Sequence, residues 1–188
     1  MIKKDINQND ILNSELLNII DYNYIFDEKP IKRIKTKPTL ENSKSRLEAL
    51  KNKIEAIENC DLKKNASKIV FADGNIQSSI MIIGEGPGQK EDELGKPFVG
   101  DAGNLLNKML KAINIERDKI YITNVVNYRP PNNRKPKPNE INRYAEFLKE
   151  HISIIDPKIL ILMGSTAMEA ILGSNKRISK ERGIWKEV

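Results

Sequence analysis

The sequence predicts a three-layer α/β/α sandwich built on a parallel sheet, and three observations predict it. Ser79–Ile83, Ile120–Val126 and Lys158–Met163 are short runs rich in branched apolar residues, with the length and composition of buried strands. Between them lie segments whose apolar residues recur at helical spacing, and strands separated by helices pair in parallel. The first run ends in Gly84-Glu85-Gly86-Pro87-Gly88. At the carboxyl edge of a parallel sheet, so much special backbone marks the place where a ligand binds.

In chain order, residues 1–43 read as an appendage. Ile11, Leu16, Leu17, Ile19 and Ile20 suit a short amphipathic helix, and the basic, proline-bounded stretch Glu28–Pro38 reads as a linker that tethers or touches a phosphate backbone. Residues 44–188 read as the α/β domain. Leu47, Leu50, Ile54 and Ile57 predict a helix over Ser43–Glu58. Ile80–Ile83 is the first strand. A helix follows over Asp101–Ile113, with Leu105, Leu106, Met109 and Leu110 on one face. Ile120–Val126 is the second strand, and Lys137-Pro138-Asn139 starts a helix that runs to Ile155. Lys158–Met163 is the third strand, and Ser165–Leu172 a helix stopped by Gly173. Arg182–Val188, with Trp185, reads as the approach to a further strand, so the domain is expected to be C-terminally incomplete, its last strand missing.

Composition narrows the function. A formal charge of +6 suits a polyanionic partner such as nucleic acid, or a Lys-rich surface with no such partner. One cysteine and one histidine exclude a disulfide framework and a Cys/His zinc site. No stretch has membrane-spanning length and the first residues, MIKKDINQND, contain no apolar h-region, so the expected location is cytoplasmic.

The second strand runs into Asn127–Pro138, where Arg129, Arg134, Lys135 and Lys137 are interleaved with prolines in a stiff cationic loop suited to phosphates. If the first two strands are neighbours, Asn124 lies near Glu85. Its amide suits the edge of a nucleobase, or the local backbone of a strand end. Phe98, between Pro97 and the glycines at 95 and 100, is a core plug or a stacking platform for a flat ligand. Glu85 is a general base, a water-orienting carboxylate or an acceptor for turn amides. Glu91, Asp92 and Glu93 read as a solvated helix start, His151 as a surface or helix-packing residue, and Cys60 as a buried thiol.

Gly84–Leu110, GEGPGQKEDELGKPFVGDAGNLLNKML, followed by Tyr121–Ile141, YITNVVNYRPPNNRKPKPNEI, resembles the family 4 branch of the uracil-DNA glycosylase superfamily. The resemblance covers about Cys60 to Val188. It implies an enzyme of DNA repair that flips uracil out of DNA and hydrolyses its N-glycosidic bond, acting as a monomer on uracil-containing DNA. Carried over by position, Phe98 would stack on uracil, Asn124 would bond its Watson–Crick edge, and Glu85 would orient the attacking water. Gly84, Gly86, Pro87 and Gly88 would line the pocket, and Arg129, Asn133, Arg134 and Lys135 would lie along the DNA.

Three departures from the family pattern matter. Gly86 replaces an alanine. Of four cysteines that hold the family's iron–sulfur cluster only Cys60 is kept, with Ile57, Tyr128 and Tyr144 at the other positions, so the expectation is a chain without a cofactor. The C-terminal His-Pro motif is absent, which leaves a catalytically impaired DNA-binding or accessory protein, related to phage-type DNA polymerase proteins, as the alternative.

Overall fold

A computed structural model describes residues 39–173 and 176–188. The helix expected near residues 11–20 and the basic linker lie outside the described residues. Helix α1 (Leu40–Glu55) is followed by α2 (Asp61–Asn65), β1 (Asp73–Gly74), β2 (Ile80–Gly84), α3 (Gln89–Leu94) and α4 (Asp101–Ala112). Then come β3 (Tyr121–Asn124), α5 (Pro138–Ile155), β4 (Ile159–Leu162), α6 (Ser165–Leu172) and α7 (Ile178–Glu181).

The strands form one sheet in the order β1-β3-β2-β4. β2 pairs in parallel with both β3 and β4, as the alternation of strands and helices predicts. The two-residue β1 joins β3 antiparallel, which the sequence reading did not anticipate. Asp73-Gly74 is too short for any periodicity to announce it.

The layers follow from the two-residue period of the strands. Met81, Ile83 and Tyr121 face a core built with Leu47, Leu50, Ile54, Tyr144, Leu148 and Ala167 of α1, α5 and α6. Ile82 and Ile122 face the other way, onto Leu106 and Leu110 of α4. The central strands are therefore apolar on both faces, as a parallel sheet covered on both sides requires.

Two expectations change. Along α4 the buried row is Gly103, Leu106 and Leu110, while Leu105 and Met109 are 60% and 54% exposed. The Phe98 backbone packs closely on this helix at Gly103, so the face predicted from leucine spacing is rotated outward by part of a turn. Arg182–Val188 forms no strand, and Trp185 is 82% exposed. These residues border a groove of about 950 Å³ beside β4, the edge strand. Among the described residues no helix is long and apolar enough to cross a membrane.

Candidate active site

The site forms where β2 and β3 end side by side. Their register sets Gly84 opposite Asn124, so the neighbourhood inferred from sequence is the one observed. A β-carbon on Gly84 would overlap Asn124 Oδ1 and come within 2.6 Å of the Phe98 ring. Only a residue without a side chain lets the strand, the amide and the ring converge. The pocket they enter holds about 820 Å³ and is lined also by Glu85, Gly86, Gly88, Asn133, Met163 and Gly164. Asn124 is 3% exposed, and no described residue hydrogen-bonds its side chain. No fully buried polar side-chain atom among the described residues lacks a hydrogen-bond partner, so this amide keeps access to the pocket it lines. That favours the ligand-facing reading of Asn124 over the backbone-satisfying one.

Phe98 is held in an unusual backbone conformation, φ 52°. Such strain costs about 1–3 kcal/mol and persists only where neighbours over-determine it. Arg117 supplies that grip: Nη1 donates to Phe98 O at 3.0 Å, Nη2 to Pro97 O at 2.7 Å, and Nε to Asp73 Oδ2 at 3.0 Å. Gly103 completes it, since a β-carbon there would collide with the Phe98 carbonyl. The ring is therefore half-buried and packed on the α4 core rather than driven into it. It is available as a flat wall.

The acids after the glycine loop are not a solvated helix start. Glu91 Oε1 accepts from Val99 N at 2.9 Å and Gly100 N at 2.7 Å, and Oε2 from Gly88 N at 3.1 Å. One carboxylate thus staples the glycine loop to the Phe98 segment. Asp92, 2% exposed, accepts from Ser67 N at 2.8 Å. Only Glu93 faces water, where it accepts from Gln89. Glu91 and Asp92 thus satisfy backbone donors that the tight turns leave without partners.

Glu85 is exposed at the pocket, and its Oε2 accepts a 2.5 Å bond from the hydroxyl of Thr166, a residue sequence reasoning did not single out. Gly86 has a packing reason to lack a side chain: a β-carbon would come within 2.8 Å of Val126 Cγ2. Gly84 and Pro87, expected to line the pocket, are both buried and do not.

The cationic loop divides. Arg129 Nε donates to Asn133 Oδ1 at 2.7 Å, beside the pocket mouth that Asn133 lines. Lys135 is exposed, with Nζ 3.4 Å from Ser165 Oγ. Arg134 instead forms a two-pronged pair with Glu140, at 2.7 and 2.6 Å, and that bond holds the Glu140 carboxyl below its ordinary range. Glu140 also accepts from Lys137 N at the start of α5, so Arg134 anchors the loop to the helix.

His151 is in the core and does not line the pocket. It is 2% exposed, stacks on Phe71 at 4.6 Å, and shares a 2.6 Å hydrogen bond with Tyr121 Oη. Burial pushes its imidazole down to about 3. Cys60 is buried as expected, 3.6 Å from Tyr144 Oη. Burial, reinforced by Cys60, raises the Tyr144 phenol.

A model of the uracil DNA glycosylase superfamily matches residues 71–186. The chain is similar to a type-4 uracil-DNA glycosylase of Thermotoga maritima, 40% identical over 73% of this chain and 72% of that protein. It is similar to another of Sulfurisphaera tokodaii, 41% identical over 74% and 67%. A DNA polymerase of Bacillus phage SP01 is 33% identical over 68% of this chain but only 14% of the phage protein. That match concerns one segment of the phage protein.

The kinship corrects one expectation. Type-4 glycosylases are iron–sulfur proteins, and relatives 38–41% identical do not support a chain without a cofactor. The four corresponding positions here, Ile57, Cys60, Tyr128 and Tyr144, belong to one buried cluster in which Cys60 alone offers a thiol. A [4Fe–4S] centre takes about four thiolates, so these side chains do not fit that group, and no step below runs through it. With its motifs brought together at one sheet edge, the family model spanning residues 71–186 and type-4 glycosylases 40–41% identical to it, the chain belongs to the uracil-DNA glycosylase superfamily.

Proposed function

We propose that the chain is a uracil-DNA glycosylase of the repair type, hydrolysing the N-glycosidic bond of a uracil flipped out of DNA. The observation that carries the proposal is the convergence of Phe98 and the Asn124 amide on one pocket, with Gly84 behind them leaving room for both. A flat base lying along Phe98 gains about 1–3 kcal/mol from stacking. The Asn124 amide carries one acceptor and two donors. Its oxygen accepts from the uracil N3–H while its NH₂ donates to the O4 carbonyl. Cytosine presents the opposite pattern at both atoms, so it leaves two buried groups unpaired.

Breaking the bond leaves positive charge on the sugar and negative charge on uracil. The donor on the uracil oxygen gains strength as that charge grows, which is how a fixed amide lowers a barrier. Glu85, at the mouth of the same pocket, orients the water that adds to the sugar. Arg129, Asn133 and Lys135 line the approach of the phosphate backbone. Arg134 holds that loop in shape from behind. The unit Pro38–Val188, which contains the whole of α1, carries this activity.

The second reading is a relative that binds uracil in DNA without cleaving it. One observation favours it: the only histidine in these 188 residues is locked against Phe71 and Tyr121, so the pocket gains no imidazole from this chain. Uracil release from a labelled single-uracil oligonucleotide separates the two. Release that disappears in Asn124→Ala supports the enzyme. Uracil-dependent binding without release supports the second reading, and neither binding nor release overturns both.

A further inference from the structure

Thr166 stands out because its hydroxyl crosses to another element of the fold. It sits in the first turn of α6, where no earlier helical turn offers its hydroxyl a carbonyl. It donates across 81 residues of sequence to Glu85 Oε2 at 2.5 Å. The residue is fully buried, whereas Glu85 is exposed at the pocket.

We propose that Thr166 is a positioning residue that fixes the Glu85 carboxylate for its water, an inference that rests on the glycosylase reading above. Glu85 follows β2 directly, and an exposed glutamate swings through many rotamers unless something holds it. Thr166 comes from α6, which follows β4 on the other side of β2 from β3. Its hydroxyl engages one carboxylate oxygen and leaves Oε1 with no partner among the described residues. Glu85 is thereby pinned between the end of one strand and the first turn of the helix after its neighbour. The free oxygen is the one that accepts from the attacking water. The first turn of a helix also favours negative charge, which reinforces the same placement.

The test compares Thr166→Val, which keeps the shape and removes the hydroxyl, with Thr166→Ser, which keeps the hydroxyl. Single-turnover uracil release is measured for both, and for Thr166→Val combined with Glu85→Ala. The expected loss in Thr166→Val is about tenfold, with Thr166→Ser recovering most of it. In the Glu85→Ala background the valine substitution adds no further loss, because the group it positions is gone. An equal loss in both backgrounds, or no loss from Thr166→Val, overturns the inference. If the wild-type chain releases no uracil, the glycosylase reading fails, and the contact is read by proton NMR alone. A slowly exchanging Thr166 hydroxyl resonance that vanishes in Glu85→Ala then upholds the placement of Glu85. Its absence from the wild type overturns that placement.

Discussion

Adding a single methyl group at Gly84 perturbs the site where its three parts meet. In Gly84→Ala the new β-carbon would lie 2.6 and 2.7 Å from two atoms of the Phe98 ring and would overlap Asn124 Oδ1. Ordinary contact begins near 3.4 Å, so the ring must retreat by about 0.8 Å and the amide by more. Asn124 is buried on the sheet side and has little room to retreat, whereas the ring borders the pocket and moves into it. The strand itself keeps its pairing with β3 and β4. The stability cost is therefore at the low end for overpacking, about 1 kcal/mol. The functional cost is larger, because a misplacement of about 1 Å at a reacting centre costs on the order of 100-fold. The assay is single-turnover uracil release beside urea denaturation of the same protein. A Gly84→Ala variant that keeps its stability and releases uracil within about threefold of wild type would refute the pocket described here.

Two further outcomes follow from the same geometry. His151 is held near 3 when folded and titrates near 6.5 when unfolded, so protons bind the unfolded chain preferentially between those values. Stability from this residue is present above pH 6.5 and lost as pH falls from 6.5 toward 3, by about 2 kcal/mol between pH 6.5 and 5. Urea midpoints over that window should slope in the wild type and flatten in His151→Gln; equal slopes would show that the buried imidazole does not act this way. Arg117→Lys keeps the charge but cannot span Asp73, Pro97 and Phe98 at once. It should lose about 2 kcal/mol in urea denaturation and weaken uracil release with it. A change below about 0.5 kcal/mol would mean that Phe98 holds its strained backbone without the guanidinium.

The strands and most of the site were legible because their signals are local. Ile80–Ile83 and Ser165–Leu172 carry their own periodicity and their own stops, and the glycine loop announces the strand end it follows. The meeting of Glu85, Phe98 and Asn124 followed from parallel pairing and the motif resemblance together. What escaped the sequence is relational. Thr166, Arg117 and Glu91 look like ordinary helix and turn residues, and their roles exist only through acceptors or donors brought near by folding. The pairing of Arg134 with Glu140 escaped for the same reason, since a cation in a loop does not reveal which carboxylate folding will bring to it. The exposed Leu105 and Met109 show the limit of reading a helix face from leucines alone: the close approach is at Gly103.

The most direct measurement is of the Asn124 side-chain amide resonances as an oligonucleotide is added, once with a single uracil and once with cytosine in its place. The account predicts that uracil moves these resonances strongly, that cytosine leaves them where they were, and that Phe98→Ala abolishes the response. An equal response to both bases, or none to uracil, would contradict the claim that this strand-end pocket reads uracil through Asn124.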